Sequence, residues 1–432
     1  MQQFYHVPQL SGKQKIEVEV PGSKSITNRA LMLAALSSTA CTLKGVLFSD
    51  DSRAFLQCLQ TLGFRVEIEE EQKRVMIQGT GGQIPNRDAT INVRSAGTAA
   101  RFLTVMLAMA GGNYRLESSA QMERRPMEPL LSVLREMGAE ITCLKEEGHF
   151  PFLISAGQIQ KKEVTIDTDV SSQFASALLM AGIMLAEGLM VHLKGGRTNG
   201  AYIQMTLRMM EQFGIEVNRV NTTCIVPAAS DFGVRIYQIE PDVSGACYFY
   251  AMAPLLRMDV LVKNVYQDSM QGDLQFLTLL EQMGCVREHT AAGILIRGSH
   301  LTSFPGVNCD MKNFSDQTMT VAVLAPFADT ETEIHNVGHI RLQESDRIEA
   351  ILTELKRLGI KCEAIEEGTG IRIEPGTIKG GIVETYEDHR MAMSFALIGL
   401  KTGNIIIHNP DCCKKTFENY FKILDMLRRC AC

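Results

Sequence analysis

The sequence lacks the patterns that mark several common classes of protein. Its 12 cysteines include no CxxC pair and no Cys/His set with zinc spacing, so we expect reduced thiols and no bound metal. Because the net charge is −6 and no basic face or run is visible, we expect no nucleic-acid partner. The longest apolar run, Phe174–Val191, is interrupted by Ser176 and Glu187. It therefore predicts a core helix and a strand, and no membrane span.

The first residues also contain no apolar stretch of the kind found in signal peptides, so we expect a cytoplasmic protein. With 45% hydrophobic and 21% charged residues, the composition is that of an ordinary globular protein. A chain of 432 residues is long enough for two domains, each with its own core. Because the net charge is negative, an anionic small molecule has to be bound where Lys and Arg side chains are locally concentrated.

What the sequence contains is a pattern that repeats roughly every 72 residues. A polar cap followed by an apolar helix begins at Ser25, Ser95, Ser171, Ser244, Ser315 and Asp388. A second marker is an apolar residue followed by a glycine that ends a helix by taking the left-handed conformation. It keeps the same spacing, at Leu62-Gly63, Met137-Gly138, Phe213-Gly214, Met283-Gly284 and Leu358-Gly359.

This period suits a unit of two helices and three or four strands, present six times. The sixth copy is incomplete, and we expect the N-terminal strand Lys15–Val20 to supply what it lacks. If the six units assemble alike, six helix N-termini converge on one region and form an anion site. The cap near residue 240 carries no cation. We therefore expect one domain from residues 1–21 plus 241–432 and the other from residues 22–240.

Charged side chains gather at the starts of the repeated helices. Lys24 and Arg29 flank the first helix start, and Arg101 lies one turn inside the second. The segments 340–348 and 387–390 combine arginines with carboxylates. Each of these groups alone fits a solvated surface turn, in which ion pairs are weak. Their recurrence at helix N-termini favours a functional site for anions instead.

Eight motifs then occur in a fixed order across nearly the whole chain: PGSKSITNR, SAGTAAR, DVSSQF, EPDVSGACYF, SDQTMT, QESDR, EDHRMAM and KKTF. Together they resemble the 3-phosphoshikimate 1-carboxyvinyltransferase (EPSP synthase) family. The resemblance implies an α/β (α+β) fold, a two-domain inverse αβ barrel of six βαβαββ units. It implies transfer of the enolpyruvyl group of phosphoenolpyruvate to the 5-hydroxyl of shikimate 3-phosphate, with release of phosphate. It also implies a monomer of the shikimate pathway that needs no cofactor.

The same resemblance implies roles for individual residues. Those expected to bind shikimate 3-phosphate are Lys24, Ser25, Arg29, Ser171, Ser172, Gln173, Asp316 and Gln343. Those expected to bind phosphoenolpyruvate are Lys24, Gly97, Thr98, Gln121, Gln173, Arg347, Arg390 and Lys415. Asp316 is expected to take the proton of the 5-hydroxyl, and Glu344 and Lys24 are the candidates to handle the proton at the methylene carbon.

Several positions depart from the usual family pattern. Ser95 stands where Asn is common, Gln121 where Arg is common, and Gln343 where Lys is common, while Asn199 begins a loop that replaces a Ser-Lys/Arg-Pro-Tyr pattern. Two cations are therefore missing. The candidates to compensate for them are Arg124, Arg125 and Arg341.

Two alternatives to the family reaction stay open on the sequence. One is a paralogous enolpyruvyl transferase with a different acceptor, and the other is a non-catalytic anion-binding protein. The sister transferase that acts on UDP-N-acetylglucosamine is disfavoured, because it carries a reactive cysteine in the loop that matches Gln121–Pro126. This sequence has no cysteine between Cys58 and Cys143.

Overall fold

The computed structural model describes residues 3–11, 14–229 and 231–429. These residues form two compact units. The central unit is Gly22–Ile239, and the terminal unit combines the segment up to Pro21 with the segment from Glu240 onward. Within the described ranges, no helix is both long enough and apolar enough to cross a membrane.

The α-helices of the described residues are numbered in chain order. They are α1 (Lys24–Leu36), α2 (Asp50–Thr61), α3 (Gly97–Ala110), α4 (Ala120–Glu123), α5 (Glu128–Glu136), α6 (Ser172–Ala181), α7 (Ala201–Gln212), α8 (Val243–Tyr250), α9 (Met252–Leu256), α10 (Gln275–Gln282), α11 (Thr318–Leu324), α12 (Arg347–Arg357), α13 (His389–Thr402) and α14 (Tyr420–Arg429). Short 3₁₀ turns are Gly182–Met184, Gly272–Leu274, Ser315–Gln317, Ala325–Phe327, Gly338–Leu342, Glu366–Gly368 and Pro410–Lys415.

The strands are numbered in the same way. They are β1 (Phe4–His6), β2 (Lys15–Val18), β3 (Ala40–Lys44), β4 (Val66–Glu69), β5 (Arg74–Gln78), β6 (Asp88–Asn92), β7 (Asn113–Glu117), β8 (Glu140–Cys143), β9 (Phe152–Ser155), β10 (Glu163–Asp167), β11 (Leu189–Lys194), β12 (Asn218–Val220), β13 (Thr223–Val226), β14 (Ile236–Gln238), β15 (Asp259–Lys263), β16 (Val286–Thr290), β17 (Gly293–Arg297), β18 (Asn308–Asp310), β19 (Thr332–His335), β20 (Cys362–Ile365), β21 (Gly370–Ile373), β22 (Gly381–Val383) and β23 (Ile405–His408).

The strands form six sheets, three in each unit, and five of the six have one shared order. In β6-β7-β9-β8, the first two strands are parallel and joined through α3, and an antiparallel hairpin follows through α5. The orders β10-β11-β13-β12 and β18-β19-β21-β20 repeat this βαβαββ pattern. The prediction of six repeated units is therefore confirmed, and pairing among the described strands leaves each sheet open.

Three sheets are completed by a strand from elsewhere in the chain, and two of these strands complete a four-stranded sheet. In the central unit, β14 pairs in parallel with β3, with Ile236 opposite Thr42. In the terminal unit, β2 pairs in parallel with β15, with Lys15 opposite Asp259. The first and fourth repeats thus each take their first strand from the far end of their own unit.

The expectation that the strand at Lys15–Val20 completes the sixth repeat is wrong, because β2 opens the fourth repeat instead. The sixth repeat is completed by β1, whose Phe4 lies opposite His408 in an antiparallel pair with β23. The alternation of buried Ile16 and Val18 with exposed residues identifies a strand. That alternation does not identify the strand with which it pairs.

Each repeat contributes one almost fully buried helix and one amphipathic helix. Nearly every residue of α1, α3 and α13 is buried, which agrees with their small and apolar sequences. In α12, the buried residues Ile348, Ile351, Leu352 and Leu355 recur at helical spacing, while the opposite face is charged. Because these helices are buried, their N-terminal turns lie against other elements of the same unit.

The predicted helix ends agree with the structure at most positions. All five glycines of the second marker have positive φ, from 85° at Gly63 to 108° at Gly138. The Ser171 side chain caps α6 and the Asp388 side chain caps α13, as predicted. The caps at Ser25, Ser95, Ser244 and Ser315 are wrong. Ser23, Ala96 and Asp242 hold the N-cap positions of α1, α3 and α8, and Gln317 holds that of α11. Where several polar residues adjoin, spacing alone cannot select the one that caps.

Candidate active site

The charged residues of the terminal unit form one cluster around the guanidinium group of Arg347, the first residue of α12. Its side chain is only 1% exposed. Its Nε donates to Asp388 Oδ2 at 2.8 Å, its Nη1 to Asp316 Oδ1 at 3.1 Å and its Nη2 to Glu344 Oε2 at 2.9 Å. It also donates to Gln343. Burial alone lowers the pKa of Arg347, but the three carboxylates outweigh burial and raise it above its usual value.

Asp316 lies between two arginines. Besides Arg347, it accepts from Arg390 Nη2 through Oδ2 at 2.7 Å. Arg390 is buried, and its Nη1 donates to the hydroxyl of Tyr248 at 3.3 Å. Asp316 lies in the 3₁₀ turn Ser315–Gln317, and Arg390 lies in the first turn of α13.

Glu344 connects the cluster to Lys415. Its Oε1 lies 3.6 Å from Lys415 Nζ, while Oε2 accepts from Arg347. Lys415 is 7% exposed, and its Nζ has no hydrogen-bond partner within the part of the chain that the structure describes. A buried ammonium group with three donors and no hydrogen bond is suited to receive an anionic oxygen.

The structure thus brings together all six predicted site residues of the terminal unit: Asp316, Gln343, Glu344, Arg347, Arg390 and Lys415. The sequence did not indicate how they pair. Each of the three cations contacts at least one carboxylate, so the cluster is not an uncompensated positive trap. An anionic substrate would therefore compete with Asp316 and Glu344 for these cations.

In the central unit, Lys24 opens α1 and is paired with a buried carboxylate. Its Nζ lies 3.5 Å from Asp51 Oδ2, and the two side chains are 16% and 4% exposed. Asp51 belongs to the first turn of α2. This ion pair is a feature that sequence reasoning missed. A carboxylate holding Lys24 fixes its ammonium group near the start of α1.

Arg29 is buried one turn further along α1 and has no carboxylate partner among the described residues. Its guanidinium donates to Thr206 Oγ1 at 2.7 Å, to Ser176 Oγ at 3.2 Å and to the carbonyl oxygens of Ser25 and Tyr202. Burial lowers the pKa of Arg29 to about 10. These neutral acceptors leave its positive charge uncompensated, and they tie α1 to α6 and α7.

The start of α3 lies against two further guanidinium groups. A Cβ on Gly97 would stand 2.5 Å from Arg125 Nη1 and 2.9 Å from Arg101 Nη1, so a larger residue there would displace these guanidinium groups. Arg101 Nη1 also donates to the carbonyl oxygen of Gly97 at 3.1 Å. Thr98 is buried in the same turn, and Gln121 lies half-buried in α4. Positive charge therefore surrounds the Gly97 backbone.

The third helix start of the central unit is formed by Ser171, Ser172 and Gln173. The Ser171 hydroxyl accepts from the backbone N–H of Gln173 at 3.2 Å. All three residues are partly exposed, and Gln173 Oε1 has no hydrogen-bond partner among the described atoms. Nearby, Arg197 donates to the carbonyl oxygens of Thr168 and Asp169. Sequence reasoning did not identify Arg197, whose only signal was its place in a polar loop.

Polar groups at the starts of repeated helices, with cations and carboxylates in contact, define an enzyme class that acts on small anions. The solved structures that resemble this chain include two of EPSP synthase from Acinetobacter baumannii. The first has a TM-score of 0.80 and 26% identity and covers 99% of this chain and 98% of that one. The second has a TM-score of 0.78 and 27% identity over the same shares.

Similar proteins agree with the solved structures. The 3-phosphoshikimate 1-carboxyvinyltransferase of Trichormus variabilis is 40% identical, over 96% of this chain and 97% of its own length. The enzyme of that name from a Nostoc species is 39% identical over the same shares. The model of the family EPSP synthase (3-phosphoshikimate 1-carboxyvinyltransferase) matches residues 8–424. The chain belongs to this family.

The family membership establishes the reaction. The chain is a transferase of the shikimate pathway that moves the enolpyruvyl group of phosphoenolpyruvate to shikimate 3-phosphate. The fold expected from the resemblance is the fold of the solved EPSP synthase structures.

Proposed function

We propose that Asp316 is the base of this transferase and that Arg347 and Arg390 hold both Asp316 and phosphoenolpyruvate. The observation that carries the proposal is the pair of hydrogen bonds to Asp316, at 3.1 Å from Arg347 and 2.7 Å from Arg390. Two arginines fix the direction of each carboxylate oxygen, and a general base has to be positioned in this way. Both arginines also present donors in a planar fork that suits the carboxylate and phosphate of the substrate.

The remaining predicted residues complete the proposal. Shikimate 3-phosphate is bound by Lys24, Ser25, Arg29, Ser171, Ser172, Gln173, Asp316 and Gln343. Phosphoenolpyruvate is bound by Lys24, Gly97, Thr98, Gln121, Gln173, Arg347, Arg390 and Lys415. The support within each unit is the same: these residues lie at helix starts, where backbone N–H groups and cations favour anions.

The reaction proceeds by addition and elimination. The 5-hydroxyl oxygen forms a bond to C2 of phosphoenolpyruvate while its proton passes to Asp316. The methylene carbon takes a proton from Glu344 or Lys24 and becomes a methyl group. The bond from C2 to the phosphate oxygen then breaks, phosphate leaves with the electron pair, and the methyl group returns a proton. Glu344 is well placed for proton exchange because Lys415 lies 3.6 Å from its Oε1.

Arg125 is the residue that we propose as compensation for the glutamine at position 121. Its guanidinium lies against the Gly97 backbone, together with that of Arg101. Arg341 is less suited to this role, because it forms an ion pair with Asp346 at 2.7 Å and donates to the carbonyl oxygen of Gly368. Arg124 is exposed.

An acceptor panel tests the proposal. Phosphate release from phosphoenolpyruvate is measured with shikimate 3-phosphate, with shikimate and with UDP-N-acetylglucosamine. We expect fast release only with shikimate 3-phosphate. Shikimate lacks the 3-phosphate that Lys24 and Arg29 would bind, and UDP-N-acetylglucosamine carries its diphosphate on a different and larger scaffold. Faster release with another acceptor would identify a paralogue, and tight binding without release would identify an anion-binding protein.

We further propose that the two compact units are the two domains of the enzyme, and that it acts as a monomer in the cytoplasm. The pairing of β14 with β3 and of β2 with β15 supports the first part, because each unit thereby completes its own sheets. Light scattering at assay concentrations tests the monomer.

A further inference from the structure

The turn that leads into α13 has an unusual backbone. Tyr386 and Glu387 both have positive φ, 53° and 57°. The N–H of Asp388 donates to the carbonyl oxygen of Thr385 at 2.8 Å and closes a four-residue turn around them. Turns with two left-handed central residues are normally built from Gly, Asn or Asp. Two larger residues in these positions are strained, and such strain concentrates at functional sites.

A buried carboxylate holds this turn. Glu354, in the second turn of α12 after Arg347, is fully buried. Its Oε1 accepts from the Tyr386 hydroxyl at 2.7 Å, and its Oε2 accepts from the backbone N–H of Glu384 at 3.2 Å. Burial first, and then the hydrogen bond to Glu354, raises the pKa of the Tyr386 phenol, which therefore stays a donor at neutral pH.

The same helix holds the segment at a second point. At the start of α12, Arg347 donates to both oxygens of Asp388, at 2.8 and 3.4 Å. Residues 384–390 are therefore held by α12 at two points. Glu354 holds Glu384 and Tyr386, and Arg347 holds Asp388. Directly after the second point comes Arg390, which donates to Asp316. A release of the turn at Tyr386 would free the first turn of α13 to shift.

We propose that Tyr386 and Glu354 are positioning residues that hold the strained turn and so keep Asp388 and Arg390 in place. Among the described residues, Tyr386 and Glu354 bond to each other, and Glu354 also accepts from the Glu384 N–H and from Arg357. Both therefore act through Arg390 and Asp388. The inference rests on the proposed function, in which Arg390 binds phosphoenolpyruvate.

The test compares three variants of the full-length protein with the parent in steady-state kinetics. Tyr386→Phe removes the hydroxyl and leaves a ring that is 40% exposed, so the fold is kept. We expect the KM for phosphoenolpyruvate to rise about tenfold, the effect of one hydrogen bond to a charged group, and the KM for shikimate 3-phosphate to stay within about twofold. Tyr266→Phe is the matched control, because Tyr266 is 42% exposed and donates to a backbone carbonyl oxygen. Its constants should be those of the parent.

Arg390→Gln separates this inference from the proposed function. If Arg390→Gln raises the KM for phosphoenolpyruvate and Tyr386→Phe does not, the positioning role is wrong and the site stands. If neither variant changes this KM, the role of Arg390 fails and the positioning role fails with it. Equal losses in both KM values of Tyr386→Phe would show a merely structural hydrogen bond and would also overturn the inference.

A double variant tests the strain itself. Glu387 is exposed, and Glu387→Gly gives the turn a residue that adopts positive φ without cost. When it is combined with Tyr386→Phe, the penalty at position 387 is removed and only the penalty at position 386 remains. We expect the KM for phosphoenolpyruvate to fall clearly below the Tyr386→Phe value. A KM that stays at the Tyr386→Phe value would contradict the strain argument.

Discussion

Asp316 shows how the site depends on single hydrogen bonds. Its two oxygens accept from two different arginines, so each oxygen has a fixed direction. An asparagine in its place would keep one acceptor and lose the charge that takes a proton. The size and shape of the residue would stay the same, and the effect should therefore fall on the chemical step.

We predict that Asp316→Asn lowers kcat by about 10²–10⁴ while both substrates still bind, since loss of a general base typically costs that much. Rapid-quench or phosphate-release kinetics measure the rate, and calorimetry measures binding. Asp310→Asn is a suitable control, because Asp310 is an exposed aspartate of the same unit paired only with Lys312. A rate within about threefold of the parent would remove Asp316 from the mechanism.

Lys24 combines a predicted substrate contact with a structural ion pair to Asp51. We predict that Lys24→Met abolishes activity and lowers the free energy of unfolding by about 1–3 kcal/mol, because the Asp51 carboxylate is left buried without a partner. The double variant Lys24→Met/Asp51→Asn should recover the stability and not the activity. Urea unfolding and phosphate release give the two readings. Recovery of both, or of neither, would refute the separation of the two roles.

At this scale, the sequence predicted which residues of the terminal unit lie close together better than it predicted their contacts. Arg347 and Arg390 were identified from motifs at helix starts, and both lie in the cluster. Their pairing with Asp388 and Asp316 could not be predicted, because it joins side chains separated by 41 and 74 residues. The ion pair of Lys24 with Asp51 escaped for the same reason. Local spacing indicates a helix start and does not indicate what packs against it.

At the level of elements, the sequence predicts well the end of the second helix of a repeat, the helix that precedes the antiparallel hairpin. The glycine after each such helix must adopt positive φ, and five spaced glycines do so. Steric rules for a single residue decide this conformation, so no tertiary contact can override it easily. The N-caps are less certain, because several adjoining polar residues can serve.

We predict that Gly214→Ala lowers the free energy of unfolding by about 1 kcal/mol and leaves the kinetic constants unchanged. Its φ is 88°, and a Cβ there would meet nothing within 4 Å, so only the backbone conformation is penalised. Gly381→Ala is the control, since its φ is ordinary and its Cβ would make a normal contact with Leu358 at 3.7 Å. An unchanged or higher stability of Gly214→Ala in urea would contradict the role of the left-handed glycine.

For the whole molecule, strands β2 and β14 explain how a discontinuous chain gives two complete units, because each pairs within its own unit. The sequence predicted the repeat and its length, because each copy has its own caps and glycines. It assigned Lys15–Val20 to the wrong copy, because a short amphipathic strand fits any open sheet edge and only the folded topology selects one. The boundary near Pro21 and Glu240 follows from these pairings, since β2 ends just before Pro21 and β14 just before Glu240.

We predict that residues 22–239, produced alone, fold into a stable unit, because β14 completes the first sheet within that fragment. A fragment that ends before Ile236 should lose cooperative unfolding, since β3 would be left with an open edge. Circular dichroism and urea titration of the two fragments make the comparison. Equal unfolding behaviour of the two fragments would show that β14 is dispensable.

We propose that this chain transfers the enolpyruvyl group by adding the 5-hydroxyl across the double bond of phosphoenolpyruvate and then eliminating phosphate. Its own carboxylates and Lys24 move the protons. The most direct measurement is the reaction of phosphoenolpyruvate with shikimate 3-phosphate in D₂O, followed by mass spectrometry of the product. In the proposed mechanism the methylene carbon becomes a methyl group before phosphate leaves, so we expect deuterium in the product methylene. A product formed at the normal rate without any deuterium would contradict it.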